Sequence, residues 1–467
     1  MRIIETISAH VRGSVLEQKI QKLETKYYAK VYFPEELSQG FDDLIGMKNE
    51  KENLKDALNF LLNMDLYLDE SVLRPTTRYL LAGAPGSGKT PLIKALAKES
   101  GIPLIVIDVS AFNAFPKRVV EIVDLIFSIS DTLPACILNF ENFTASENLP
   151  SEPQMLFHHH LSTKIKGSEN TVVFLSTASS TIQLPPFYFA ENLFNLNKVI
   201  PIMPPTLETR KELFAKYLAE FNIELDDAML ERLSRNTMGM YPKDIEFIVK
   251  ETLNRVARQG SLEVSFKDFH ETILQMAAGE EYNKLSEKER ESTAYHEAGH
   301  VIAAYYTNPE YILGRVEITP RAQSLGLTFE EAGEEKYCKF RHEIEYDIIY
   351  SLGGMAAEKL IYGETTSGVT SDLAAANSDA TLMVQAFGMD EDFGPIVLDD
   401  DVGFASEKFY AASEELVQKI LKDLFAKTYQ VVSEHRKQLE ALASALLENE
   451  VLIGDEIKHV LDAAEKE

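Results

Sequence analysis

The feature of this sequence that most constrains its fold is a glycine-rich loop, residues 83–90, between an apolar strand pattern at 79–82 and a helical pattern at 91–98. In such a unit the glycines let backbone N–H groups converge on phosphate oxygens at the start of a helix. Lys89 can reach the β- and γ-phosphates, and Thr90 can bind Mg²⁺. The sequence therefore predicts an α/β module that binds ATP or ADP together with Mg²⁺. The predicted nucleotide-binding residues of the loop are Gly83, Ala84, Pro85, Gly86, Ser87, Gly88, Lys89, Thr90 and Pro91.

The third apolar strand pattern of the module, at 135–140, marks where a nucleotide hydrolase carries the acidic residues that hold Mg²⁺ and orient the attacking water. Here the strand is followed by Glu141 and Asn142. Glu141 can serve the metal ion, but the amide of Asn142 cannot accept a proton as a carboxylate does. No arginine occurs between Arg118 and Arg210, so this stretch offers no arginine finger. We therefore expect nucleotide binding with weak or absent hydrolysis.

A metal site is predicted by His296, Glu297 and His300, which form the pattern His-Glu-x-x-His. Histidines four residues apart share one face of a helix, so both imidazoles can bind one metal ion. Glu297 can then act as general base toward a water in the fourth position of a zinc ion. A helix that carries this short pattern by chance is the alternative. We interpret the pattern as a zinc site for peptide hydrolysis.

Catalytic zinc usually has three protein ligands, so a further donor is needed. A loop rich in Gly, Ser and Thr at 365–371 leads into a helical pattern, with Ser371 as its predicted N-cap and Asp372 in its first turn. Asp372 is the candidate third ligand. The helix dipole also favours an ordinary acidic residue in a first turn. The residues alone leave both interpretations open.

The charge of the chain argues against some classes of partner. Its 467 residues carry 46 Lys and Arg against 74 Asp and Glu, for a net charge of −28. This excess opposes binding to nucleic acid or to an anionic membrane surface. No stretch approaches the roughly 20 apolar residues that a membrane span needs. Cys136 and Cys338 have no metal or redox spacing and are predicted to be buried thiols of a reducing compartment, so we expect a cytoplasmic protein.

Much of the remaining sequence has helical periodicity. Residues 1–40 carry an amphipathic pattern that predicts an exposed helix. Such a helix could dock on a partner, but packing on its own neighbouring domain is the commoner explanation. Residues 206–280 predict a small helical subdomain over the nucleotide site. A short strand is predicted at 315–320, and helices are predicted at 346–362 and 405–449.

The order of these features resembles the AAA+ zinc proteases of the FtsH type over roughly residues 41–460: a P-loop module, a helical lid, then His-Glu-Ala-Gly-His followed by Thr-Ser-Gly-x-x-Ser-Asp. The resemblance implies an α/β AAA+ module, with a parallel sheet flanked by helices and a helical lid, followed by a mainly α-helical zinc metalloprotease domain. The expected domains are an N-terminal amphipathic helix at 1–40, a large AAA+ subdomain at 41–204, the lid at 205–280 and the metallopeptidase domain at 281–467.

The resemblance also implies roles for single residues: His296, His300 and Asp372 as zinc ligands, and Glu297 as the catalytic base. In this family a hexameric ring pulls polypeptides through a central pore into a chamber of protease domains. That implied assembly makes polypeptides the expected substrates.

This chain departs from the family mainly where ATP is hydrolysed. Phe115 falls at the family's pore-loop aromatic, which grips the substrate, but Pro116 stands where a glycine usually follows. The family's Asp-Glu pair is replaced by Glu-Asn, its sensor asparagine falls at Ser179, and its two finger arginines fall near Leu193 and Leu196. The resemblance therefore implies a degenerate ATPase.

Together these observations predict an FtsH-like zinc metalloendopeptidase that degrades unfolded or flexible polypeptides and forms a homo-hexamer. One alternative is a fully ATP-driven unfoldase and protease, either alone or in a mixed ring with a paralogous AAA+ subunit. The other is a chaperone or scaffold without proteolysis. The zinc ligands argue against the scaffold, and the missing arginines argue against self-sufficient ATP drive.

Overall fold

The computed structural model describes residues 14–27, 29–68, 77–168, 170–177, 194, 196, 198–260, 263–278, 285–320, 326–329, 338–398 and 407–466. The chain divides into two compact units. The first comprises Met1–Asp226 and Gly239–Lys250, and the second comprises Asp227–Met238 and Glu251–Glu467.

The first unit is built on a six-stranded sheet with the order β1-β3-β4-β5-β2-β6. Neighbouring strands are parallel except at β1, which pairs antiparallel with β3. The α/β class with a largely parallel sheet is therefore confirmed. The strands are Ala29–Tyr32 (β1), Arg78–Ala82 (β2), Leu104–Asp108 (β3), Cys136–Glu141 (β4), Thr171–Thr177 (β5) and Lys198–Pro201 (β6).

Helices cover both faces of this sheet, as the near-continuous apolar runs on its buried strands require. One face packs against α1, α5 and α6, and the other against α3 and α4. The helices of this part of the chain are Val15–Tyr27 (α1), Lys48–Asn53 (α2), Lys55–Leu62 (α3), Lys89–Ser100 (α4), Val119–Ser130 (α5), Ser151–Gly167 (α6) and Leu207–Ala219 (α7).

The predicted N-terminal helix is present as α1, and residues 1–13 lie outside the described residues. Its apolar residues Ile20, Leu23 and Tyr27 are buried against the core, as expected for a helix that packs on its own neighbouring domain. The segment also contains β1, which the sequence analysis did not predict. The main-chain N–H and C=O groups of β1 form hydrogen bonds with β3, so this part of the segment is a strand of the sheet and not a continuation of the helix.

The helical pattern predicted for 206–280 is confirmed. After α7, the helices are Asp227–Arg235 (α8), Pro242–Arg258 (α9) and Phe266–Ala278 (α10).

The second unit is mainly helical and contains a small sheet. Its three antiparallel strands have the order β8-β7-β9. Only β7 was predicted from the sequence. Its strands are Arg315–Glu317 (β7), Leu327–Phe329 (β8) and Val451–Ile453 (β9). Its further helices are Glu287–Thr307 (α11), Arg341–Tyr362 (α12), Thr370–Gln385 (α13), Glu407–Glu434 (α14), Arg436–Asn449 (α15) and Gly454–Lys466 (α16).

Two glycines let the backbones of α11 and α12 come unusually close. A Cβ atom on Gly299 would lie 2.5 Å from the carbonyl oxygen of Gly353, and one on Gly353 would lie 2.6 Å from the carbonyl oxygen of Gly299. No side chain fits between these backbones. The contact fixes α12 against the helix that carries His296 and His300.

Within the described residues, every helix is too short or too polar to cross a membrane. Cys136 is buried, as predicted, but Cys338 is exposed, so the prediction of two buried thiols was wrong for the second.

Candidate metal and nucleotide sites

Helix α11 presents the three residues of the predicted metal motif to the interior of the second unit. The helix begins with a capping box in which the Ser286 hydroxyl accepts from the N–H of Glu289 at 3.3 Å and the Glu289 carboxylate accepts from the N–H of Ser286 at 2.9 Å. Glu297 and His300 are buried further along the helix. The predicted helical spacing is therefore present.

The structure brings Asp372 to the two histidines. The Nε2 atoms of His296 and His300 are 3.1 Å apart, and Asp372 Oδ2 lies 3.0 Å from the first and 3.4 Å from the second. Zinc–ligand bonds of about 2.0–2.1 Å in tetrahedral geometry place ligand atoms about 3.3 Å apart, so the three donors fit one zinc ion. No other described group of three or more His, Cys, Asp or Glu side chains converges in this way.

The other nitrogen of each imidazole is held by a hydrogen bond. His300 Nδ1 donates to the carbonyl oxygen of Tyr350 at 2.7 Å, and His296 Nδ1 donates to Glu358 Oε1 at 2.8 Å. These bonds place the proton on Nδ1 and leave the Nε2 lone pairs for a metal ion. Sequence analysis missed Glu358, which is buried on α12 and also accepts hydrogen bonds from the N–H and hydroxyl of Thr366.

The electrostatics of the cluster favour a positive charge among these donors. Burial lowers the pKa of His296, but hydrogen bonds to Asp372 and Glu358 outweigh it and raise the pKa to about 10. Burial opposes ionisation of Asp372, yet hydrogen bonds from the two histidines hold its pKa well below the usual range. The raised pKa means that the His296 imidazole readily binds a second proton. A metal cation among the three donors would take the place of this second proton.

Glu297 lies beside the ligands and is held by the neighbouring strand. Thr328 on β8 donates its hydroxyl to Glu297 Oε2 at 2.7 Å. A Cβ atom at Gly326 would lie 2.7 Å from Glu297 Oε1, so only glycine leaves room for the carboxylate there. Burial raises the pKa of Glu297, although the two histidines and Thr328 oppose the shift. A carboxyl group with a raised pKa beside a metal site suits a general base.

A cavity of about 700 Å³ opens beside these residues. The strand β8 lines it and forms an edge of the small sheet, with β7 as its partner among the described strands. Residues that line the cavity include Ser292, Thr293, Leu327, Tyr350 and Ser367. The site is therefore a cleft large enough for several residues of a peptide.

The loop before Asp372 differs in one detail from the prediction. Helix α13 begins at Thr370, so Ser371 lies inside its first turn and is not the N-cap. Thr366 instead caps the preceding 3-10 turn by accepting from the N–H of Gly368 at 3.2 Å. Asp372 is in the first turn, as expected.

The glycine-rich loop has the backbone shape that a phosphate site needs. It connects β2 to α4, and Gly86 and Gly88 have φ angles of 80° and 100°, which other residues rarely adopt. Lys89 Nζ donates to the carbonyl oxygens of Gly83 at 2.7 Å and Ala84 at 2.8 Å, and to the hydroxyl of Ser87 at 3.2 Å. Burial lowers the pKa of Lys89, and Glu141 partly offsets this effect. The loop and its lysine therefore fit a nucleotide phosphate.

The end of β4 lies next to this loop, and the end of β3 lies beside that of β4. Glu141 Oε1 accepts a hydrogen bond from the hydroxyl of Thr90, so the two predicted Mg²⁺ contacts meet. Asn142 has a left-handed backbone conformation with φ 50°, and its amide donates to Asp108 Oδ1 at 3.1 Å. Sequence analysis did not single out Asp108.

Phe115, the predicted pore-loop aromatic, packs on its own subunit. It is partly buried, and its ring lies 5.6 Å from that of Tyr27 in an edge-to-face contact. Ser179 and Leu193 lie outside the described residues. Leu196 packs at the edge of the core of the first unit.

Comparison with known proteins agrees with these two sites. The ATPase family associated with various cellular activities (AAA) matches residues 79–196, and peptidase family M41 matches residues 283–460. ATP-dependent zinc metalloprotease FtsH 3 of Petrotoga mobilis is 30% identical over 460 residues, which are 93% of this chain and 70% of that protein. ATP-dependent zinc metalloprotease FtsH of Thermotoga maritima is 28% identical over 465 residues, 94% of this chain and 75% of that protein. For FtsH 1 of Rhodopirellula baltica the identity is 29% over 446 residues, 90% of this chain and 66% of that protein. The chain belongs to the FtsH family of AAA-type zinc metalloproteases.

Proposed function

We propose that this chain is a zinc metalloendopeptidase that cleaves unfolded or flexible polypeptides. The observation that supports the proposal most directly is the convergence of His296 Nε2, His300 Nε2 and Asp372 Oδ2 beside the buried carboxyl group of Glu297. These three residues would hold the zinc ion, which supplies Lewis-acid polarisation of the peptide carbonyl and of water.

Glu297 performs the proton transfers of the reaction. Its carboxylate accepts the proton of the attacking water and delivers it to the amine that leaves when the peptide bond breaks. Thr328 keeps one carboxylate oxygen in place through its 2.7 Å hydrogen bond. Glu358 and the carbonyl oxygen of Tyr350 hold the imidazoles in the orientation that ligation needs.

The shape of the cleft favours an extended polypeptide. An edge strand can add a peptide through main-chain hydrogen bonds, whatever the peptide's sequence, and β8 is such an edge beside Glu297. A folded domain cannot present an extended segment without local unfolding. Unfolded or flexible chains are therefore the proposed substrates.

The first unit binds ATP or ADP with Mg²⁺ in this proposal. The loop from Gly83 to Gly88 together with Lys89, Thr90 and Pro91 holds the phosphates, and Glu141 serves the metal ion with Thr90. Asn142 replaces a carboxylate, so hydrolysis is weak or absent. Nucleotide then acts mainly as a structural ligand between subunits of a homo-hexameric ring in the cytoplasm.

A fully ATP-driven protease is the second candidate. The curated relatives are named ATP-dependent, and this favours the possibility that a ring with a paralogous AAA+ subunit does mechanical work. The proposed boundaries are 1–40 for the N-terminal segment, 41–204 for the large AAA+ subdomain, 205–280 for the lid and 281–467 for the peptidase domain. The strand β1 of the N-terminal segment adds to the sheet of the large subdomain.

Metal removal tests the proposed peptidase. Purified protein should contain one zinc ion per chain, and chelation should abolish cleavage of an unfolded casein-type substrate. Added Zn²⁺ should restore it and added Mg²⁺ should not. His300→Ala should bind no zinc and cleave nothing. Cleavage that persists in zinc-free protein would contradict the proposal.

A further inference from the structure

We propose that the Asp108 carboxylate carries the residual ATP hydrolysis of this chain by orienting the attacking water in place of the carboxylate missing at position 142. The inference rests on the proposed nucleotide site at residues 83–90. It specifies that hydrolysis is slow rather than absent, and it assigns a residue to it.

The sheet register places Asp108 on the correct face. Asp108 at the end of β3 is the direct partner of Glu141 at the end of β4. In-register residues of neighbouring strands project to the same side of a sheet. Val106 lies two residues before Asp108, and Ile137 lies four residues before Glu141, so each shares a face of the sheet with the acid on its strand. Both pack on the face that α4 covers. Glu141 already bonds to Thr90 on α4, so Asp108 points toward the same side of the sheet as the nucleotide loop.

The contacts of Asp108 leave one oxygen available. Oδ1 accepts from the amide of Asn142 at 3.1 Å, from the N–H of Ser110 at 3.0 Å and from its hydroxyl at 2.7 Å. Among the described residues, Oδ2 has no hydrogen-bond partner. Three donors on one oxygen fix the carboxylate plane, and they leave the other oxygen to hold a water.

The amide of Asn142 connects this carboxylate to the position where an acid is expected. The residue that follows Glu141 is Asn142, and its hydrogen bond leads directly to Asp108. The acid therefore lies at the end of β3 and the amide follows the end of β4. An acid on β3 lies one strand outward from a carboxylate on β4, by about 4.8 Å. A displaced base is a physical reason for slow turnover.

The chemical step is ordinary hydrolysis. Water held by Oδ2 gives a proton to the Asp108 carboxylate while its oxygen forms a bond to the γ-phosphorus. The bond from that phosphorus to the β–γ bridging oxygen breaks, and ADP leaves with the electron pair. Asp108 then releases the proton to solvent, so the products are ADP, inorganic phosphate and a proton.

The test compares Asp108→Asn with wild type in the full chain, with phosphate release and the Kd of a fluorescent ATP analogue as separate readouts. Asp131→Asn, an exposed aspartate that precedes β4, is the matched control, and Lys89→Ala gives the background rate. We expect Asp108→Asn to lower turnover at least about tenfold, with Kd changed less than about twofold, because a positioned base contributes about 10²–10⁴-fold. Asp108→Asn should also keep the wild-type midpoint of urea unfolding, which a merely structural role of Asp108 would not predict.

Three results would overturn the inference. Asp108→Asn could hydrolyse ATP at the wild-type rate, or its loss of turnover could be matched by an equal loss of affinity. Wild type could also show no turnover above Lys89→Ala. In this last case the zinc peptidase and the nucleotide site of the proposed function would both stand, because cleavage and binding are measured separately.

Discussion

At the scale of single residues, Glu358 is the most informative side chain outside the predicted motif. It accepts from His296 Nδ1 and fixes the ring so that Nε2 faces Asp372. Glu358→Gln keeps the shape but replaces the charge-assisted bond. We expect zinc affinity to fall about 10–100-fold, as is usual for partners that orient metal-bound histidines. Competition with a zinc-binding dye measures it.

Glu364→Gln is the control for this prediction. Glu364 is an exposed glutamate that lies shortly after α12, so its substitution should leave zinc affinity unchanged. Equal affinities for Glu358→Gln and wild type would show that the carboxylate does not orient His296.

The site residues differ in how far the sequence could predict them. His296 and His300 were predictable, because residues four apart lie on the same face of a helix, about one turn from each other. Asp372 lies 76 residues from His296, so the residues alone could not separate a ligand from a first-turn acid. Glu358 lies 62 residues from His296 and belongs to no short motif. Its role depends on how α12 packs on α11, which the sequence analysis did not address.

At the scale of elements, the packing of α11 on α12 is the contact on which the metal site depends. In Gly299→Ala the new methyl group would meet the carbonyl oxygen of Gly353 at 2.5 Å and Ala357 Cβ at 2.6 Å. Alanine favours a helix by up to about 1 kcal/mol over glycine. Overpacking against a rigid backbone costs about 1–3 kcal/mol, so the clash should dominate. We expect a lower free energy of unfolding, measured by urea denaturation of the transition that reports the second unit.

Gly167→Ala is the matched control, since a Cβ at Gly167 has no atom within 4 Å. It should be neutral or slightly stabilising. If Gly299→Ala were as stable as Gly167→Ala, α11 and α12 would not approach each other as closely at Gly299 as the structure indicates.

The elements also differ in how well the sequence predicts them. The long helices and the strands around the glycine-rich loop have clear periodicity and were predicted. The short strands β1, β8 and β9 were not. Each has at most four residues and is defined by pairing with a partner elsewhere in the chain, which local patterns do not reveal.

For the whole molecule, we expect the rate of proteolysis to depend more on the folding state of the substrate than on ATP hydrolysis. Pulling apart a native domain requires work against its free energy of unfolding, about 5–15 kcal/mol. Asn142 slows the cycles of ATP hydrolysis that would supply this work. We expect a destabilised substrate to be cut equally well with ATP and with a non-hydrolysable analogue. The folded form of the same substrate should resist cleavage with both nucleotides.

Rapid degradation of the folded form with ATP, but not with the analogue, would contradict this prediction. That result would favour the ATP-driven candidate, acting alone or with a paralogous subunit.

Glu297→Gln tests whether Glu297 acts as the base beside a zinc ion held by His296, His300 and Asp372. The measurement pairs zinc content with cleavage of an unfolded substrate. The glutamine keeps the size and the hydrogen bond from Thr328 but cannot accept the proton of water. We expect an unchanged zinc content and a cleavage rate at least about 10²-fold lower than that of wild type. A zinc-loaded Glu297→Gln protein that cleaves the substrate at the wild-type rate would contradict this role of Glu297.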